Sequence, residues 1–104
     1  MRIIDGHVHI IGDGSSGSGC WYRHHSVWSK LLEYIVALNC KIPLSSINGS
    51  LDECYVQRLI EQVRSSSLDA ILILAMEIPY DDSGNPLKSG ALYVPNNYVL
   101  KLAR

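Results

Sequence analysis

The chain opens with an apolar run broken by polar residues, Ile3-Ile4-Asp5-Gly6-His7-Val8-His9-Ile10, and closed by Gly12. β-Branched residues in that pattern predict a short strand opening into a loop. The period then lengthens: Trp28, Leu31, Leu32, Ile35 and Leu38 recur at helical spacing until Pro43, predicting a helix from about Val27 to Cys40. Trp28 is expected to pack with its aliphatic neighbours. Ser50 followed by Glu53 has the form of a capping box, so a second helix is expected from about Leu51, with Val56, Leu59, Ile60 and Val63 buried. Arg58, Glu61, Gln62 and Arg64 of that helix would face water.

After a polar break comes "AILILAM", Ala70 to Met76, a continuous aliphatic run that suits a strand covered on both faces. Strand, helices, strand is the order of a right-handed crossover with parallel strands. The stretch "EIPYDDSGNPLKSG" reads as loop, and "PNNYVLKLAR" as the start of a third helix capped by an asparagine. That helix runs only about two turns before Arg104, so the chain is expected to be the front part of something longer.

Composition narrows the classes. With 104 residues the chain is expected to hold one partial domain over 1–104, and 9 basic against 10 acidic residues offer no electrostatic case for nucleic acid or an anionic membrane. The longest apolar run is far shorter than the roughly 20 residues that cross a bilayer. Three cysteines without a C-x-x-C pair write neither a disulfide framework nor a zinc ribbon, and no signal-peptide pattern precedes the first strand. The expectation is a reduced, cytoplasmic protein with a small-molecule substrate.

Chemistry gathers at the end of the first strand. Strict alternation puts Ile3, Asp5, His7 and His9 on one side, with the histidine backbones about 7 Å apart, near enough for both imidazoles to reach one ion. The pair stands where a strand gives way to a glycine-rich loop, the edge at which parallel α/β folds place their sites. His7 and His9 are therefore the candidate metal ligands, and Asp5 is a candidate to accept an imidazole N–H and fix its tautomer. Zinc suits imidazole ligands best, although manganese and iron fit the same donors.

The segments "DGHVHI", "GSSGSGCW" and "YVPNNYVLKLAR" resemble the amidohydrolase-related proteins, metal-dependent TIM-barrel hydrolases and decarboxylases of the amidohydrolase superfamily. The resemblance implies an α/β fold that is the N-terminal portion of a (β/α)8 barrel: two parallel strands with crossover helices, the barrel incomplete, about its front third. It implies that His7 and His9 are the first-strand ligands and that histidines and an aspartate of later strands complete the site. The activity it implies is attack of metal-activated water on an ester, lactone or amide bond, with decarboxylation of a small carboxylic acid as the alternative within the family. Metal-dependent phosphoesterases with an early H-x-H are a further alternative. No catalytic side chain is identifiable within the chain, and a non-catalytic fragment that associates through its open edges is the alternative of a different class.

Other residues carry plainer expectations. Residues 12–20, "GDGSSGSGC", lack the G-K-[ST] ending of a phosphate loop and read as a flexible lid over the metal. Arg23, His24 and His25 are expected at a solvated helix entrance, with a substrate carboxylate as the functional alternative. Glu77 is expected to be an exposed loop carboxylate, Cys20 an inert core thiol, and "DDSGNP" an ordinary turn.

Overall fold

The computed structural model describes residues 1–47 and 49–104. Its elements run β1 (Ile4–His9), β2 (Trp21–Tyr22), α1 (Val27–Asn39), a 3-10 turn (Leu44–Ser46), α2 (Leu51–Ser65), β3 (Ala70–Leu74), β4 (Leu92–Tyr93) and α3 (Asn96–Leu102). This is a small mixed α/β fold. β1 and β3 pair in parallel, as the crossover order predicts, and β2 and β4 pair antiparallel with Trp21 opposite Tyr93.

The register of the parallel pair is not uniform. Ile4 and Asp5 align with Ala70 and Ile71, whereas Val8 and His9 align with Ile73 and Leu74, so β1 carries one residue more than β3 between these points. The extra residue lies at Gly6-His7, and it inverts the alternation there. Aligned partners share a face, so Asp5 belongs to the row of Val8, Ile71 and Ile73, and His9 to the row of Ile4, Leu72 and Leu74. The expectation that Asp5 and His9 share a side is overturned by this bulge.

Two apolar clusters hold the layers together. One gathers Ile10, Cys20, Val94, Tyr98 and Val99, and the other Ala37, Ile42, Ile47 and Leu51; Tyr55 of α2 packs against both. Ile10, only 1% exposed, sits where β1 leaves the sheet, and burying such a side chain is worth about 1.5–3 kcal/mol. β3 is not covered on both faces: Ile73 meets the first cluster, while Leu72 on the opposite row is 55% exposed. The aliphatic run reads as doubly buried because composition alone does not reveal which layer is missing.

α1 forms where its period predicts but not with the packing expected. Ser26 Oγ accepts the Ser29 amide and Ser29 Oγ accepts the Ser26 amide, each at 3.2 Å, which satisfies two free donors of the first turn. At its other end Ile42 N–H reaches Ala37 O at 2.8 Å and Lys41 N–H reaches Leu38 O at 3.2 Å, with Lys41 at a φ of 57°. Those paired bonds close the helix as a Schellman motif, although a left-handed lysine is costlier there than glycine. Trp28 is 78% exposed, and Leu31, Leu32, Ile35 and Leu38 are exposed as well. Their helical spacing is realised; their burial is not, because no layer of the described residues lies over them.

Two caps differ from expectation. Ser50 makes no capping bond at the start of α2; Asp13 Oδ2 takes the Leu51 amide at 3.4 Å instead. α3 is preceded by Pro95 rather than capped by an asparagine side chain.

Asp52, in the first turn of α2 and 1% exposed, organises the serine-glycine segment. Its Oδ1 accepts the amides of Asp13 and Gly14 at 2.9 and 3.2 Å. Its Oδ2 accepts the Ser16 amide at 3.0 Å, the Ser16 hydroxyl at 2.7 Å and the Ser18 hydroxyl at 2.6 Å. Gly14, Gly17 and Gly19 take positive φ so that the chain can fold round the carboxylate. A Cβ on Gly12 would stand 2.2 Å from Asp52 Oδ1. The segment expected to be a mobile lid is thus tied down at its centre.

Burial pushes the Asp52 carboxyl up, but the donors from Ser18, Ser16 and Gly14 outweigh it and hold the group below the ordinary carboxylate range. A folded-state value below the unfolded one, about 3.9, adds stability that is present above that pH. The contribution is lost as pH falls through the folded value, so urea titrations should show stability flat near neutrality and declining below about pH 4. Asp52→Asn keeps the shape but puts an NH2 where one oxygen stood. The serine hydroxyls can turn to accept from it; the Ser16 amide cannot. Chemical denaturation should register a loss of about 1–3 kcal/mol, with Asp52→Ala losing more.

Candidate metal centre

His7 and His9 stand at the C-terminal end of β1, at and beyond the bulge that follows Asp5. Their Nε2 atoms are 2.9 Å apart, and the rings meet edge to face with centroids 4.8 Å apart. At that separation one ring's N–H can donate to the other's lone pair. The same spacing suits shared coordination. Two nitrogens about 2.1 Å from one ion stand about 3.0 Å apart at a right angle and about 3.4 Å apart in a tetrahedron, so the rings need shift by about 0.5 Å or less.

The surroundings of each ring differ. His7 is exposed, whereas His9 is half-buried and its Nδ1 is sealed from solvent without a hydrogen-bond partner among the described residues. For both Nε2 lone pairs to face a cation, the His9 proton has to sit on that sealed Nδ1, which has no acceptor among the described residues. The pair fits as two ligands of a divalent ion; no group of three or more histidines, cysteines, aspartates or glutamates converges among the described residues.

Asp5 does not take the expected part. Its Oδ1 accepts the backbone amide of His7 at 3.1 Å, which braces the bulge and fixes no tautomer. Tyr55 of α2 braces the other histidine by donating its phenol to the His9 carbonyl at 3.2 Å. Together they border a cleft of about 520 Å³ whose walls include Leu59, Gln62 and Val63 of α2.

The remaining candidates lie elsewhere. Asp13, Gly14 and Ser15 line a separate cleft with Trp21 and Tyr22, away from the imidazole pair. Arg23 spreads its guanidinium over the Trp21 ring at 4.4 Å, and His24 Nε2 meets Glu33 Oε2 at 2.8 Å. His25 is exposed. Glu77 is an exposed carboxylate that accepts the Ile78 amide at 2.9 Å, and Asp81 organises the "DDSGNP" turn by accepting the Ser83 and Asn85 amides. Cys20 is buried in the first cluster, where burial raises its thiol pKa, and all three cysteines are free.

Asp52 and Glu33 are absent from the sequence-derived candidates. Glu33 left a trace, as the only acidic residue in a largely aliphatic helix. Asp52 left almost none, since an acidic residue in a first helical turn already has a sufficient local explanation.

No family model, curated protein or solved structure matches the chain. No helix among the described residues is long and apolar enough to cross a membrane.

Tyr55 provides the test of how the pair is held. Tyr55→Phe should lower stability by about 1 kcal/mol, read by urea denaturation, through loss of the hydrogen bond to the His9 carbonyl. The His9 ring resonances should shift more than those of His7 in NMR spectra of the variant.

Proposed function

We propose that this chain carries two ligands of a divalent-metal hydrolase site, held by His7 and His9 on the open end of β1. The observation that carries the reading is the 2.9 Å approach of the two Nε2 atoms on a strand of a parallel pair. It is supported by the resemblance of "DGHVHI", "GSSGSGCW" and "YVPNNYVLKLAR" to the amidohydrolase-related proteins. On this reading the two parallel strands and their crossover helices are the front of a (β/α)8 barrel.

The ion, zinc by the preference of imidazole donors, supplies Lewis acidity that acidifies a water and polarises a carbonyl. The protein's own contribution here is to hold and orient. Asp5 fastens the backbone at His7, and Tyr55 fastens it at His9, so the two lone pairs converge without free rotation of the strand. Hydrolysis of an ester, lactone or amide is the proposed reaction class. Its general base and remaining ligands lie outside the set of side chains named here. Two neutral donors leave most of the coordination shell to water, so the 104-residue chain by itself is proposed to bind zinc weakly and to be inactive.

Calorimetric titration with zinc, backed by cobalt absorption spectra, tests the assignment. Weak binding is expected in the chain as it stands, abolished by His7→Ala together with His9→Ala. Tight stoichiometric zinc that survives the double substitution would remove these residues from the site.

A further inference from the structure

The face of α1 turned away from the fold is the apolar one. At about 100° per residue, Glu33, Ala37 and Cys40 fall on one side of the helix and are buried or half-buried. Val27, Trp28, Leu31, Leu32, Ile35 and Leu38 fall within an arc of about 140° on the other side. These six range from 47% exposed at Ile35 to 85% exposed at Val27. Asn39 is the only polar residue in that arc, and the two charges of the helix, Lys30 and Glu33, lie outside it. A surface helix ordinarily turns its apolar stripe to the core and its polar face to water. Here the order is reversed, which marks the outward face as an interaction surface. At those exposures the six side chains present on the order of 700 Å² of apolar surface, close to the roughly 800 Å² per partner of a standard-size interface.

The spacing says what kind of surface fits. Trp28, Leu31, Ile35 and Leu38 are separated by three, four and three residues, the seam by which one helix seats its side chains between those of another. That order reads the same in either direction. Two copies of α1 laid antiparallel about a twofold axis therefore bring Trp28 of each copy opposite Leu38 of the other, and Leu31 opposite Ile35. A large ring then meets a smaller side chain rather than a second ring, and the helix dipoles run in opposite senses. No charge on the seam repels its own copy, and none is there to meet a charged partner. An anionic lipid surface draws an amphipathic helix through a fringe of lysine and arginine, whereas α1 carries one lysine.

We propose that the outward face of α1 joins two copies of this chain, the helices antiparallel about a twofold axis. The contact is separate from the imidazole pair, which stands on β1.

The test is sedimentation equilibrium of the full chain. At about 100 µM, where a contact of micromolar Kd is populated, the mass should be that of two chains, falling to one on dilution. Leu31→Glu together with Ile35→Glu should weaken association at least about tenfold, because each carboxylate would have to be buried unpaired, with folding checked by circular dichroism. Leu72→Glu, on the exposed row of the sheet, should leave association as it was. Fluorescence of the native chain serves if the double variant does not fold: emission should move to the red on dilution, and Trp28→Phe, which keeps Trp21, should remove that shift. A monomer at about 100 µM, a mass that grows past two copies, or unchanged association in the folded double variant would overturn the proposal. So would loss of association in Leu72→Glu, or binding of the monomer to phosphatidylcholine and phosphatidylglycerol vesicles in place of pairing.

Discussion

The carboxylate of Asp52 gathers three backbone amides and two serine hydroxyls where the loop after β1 meets the first turn of α2. A buried charge is tolerated only when its lone pairs are satisfied, and here the satisfaction comes from a segment with no apolar side chain to contribute between Asp13 and Gly19. The exchange works both ways: a glycine-serine loop that could not fold by burial acquires one shape, and α2 acquires a charged group near its amide-rich end. Because that loop delivers Cys20 and Trp21 to the first cluster and the small sheet, the position of β2 follows from it. The two clusters then share Tyr55, whose phenol reaches the His9 carbonyl, so the same helix that anchors the loop also steadies the imidazoles.

Much of the fold was legible in the residues. The strand at Ile4–His9, the helices at Val27–Asn39 and Leu51–Ser65, and the strand within Ala70–Met76 all follow from periodicity, and their order dictated the parallel pairing. What escaped was non-local. Alternation could not foresee an extra residue at Gly6-His7, because bulges depend on the partner strand; hence Asp5 was placed on the wrong row. Ser50 and Glu53 carry a real helix-start pattern, but Asp13 reaches the first turn from across the fold and displaces it. The apolar stripe of α1 is largely exposed, because hydrophobic spacing records what a helix can cover, not what lies above it.

The candidate centre was legible in the same measure. H-x-H on one strand puts two imidazoles within reach of one point, and the Nε2 atoms do approach closely. That convergence survives the bulge because His7 and His9 both lie at or beyond it. The surrounding braces could not be read, since one comes from a carboxylate two residues away bonding to backbone and the other from a helix far along the chain. Glu33 shows the converse case: its spacing on α1 is ordinary, and it is Tyr22 of β2 and Ile42 and Ile47, from either side of the 3-10 turn, that form a cleft around its carboxylate.

Gly12 lies against the sulfur of Cys20 as well as against Asp52, so the thiol is walled in by the same bend that the carboxylate closes. Burial raises the pKa of that thiol and so disfavours the thiolate that oxidants and alkylating reagents attack. Chemical ageing at position 20 is therefore governed by how often a hydrogen-bonded turn springs open rather than by the reactivity of sulfur itself.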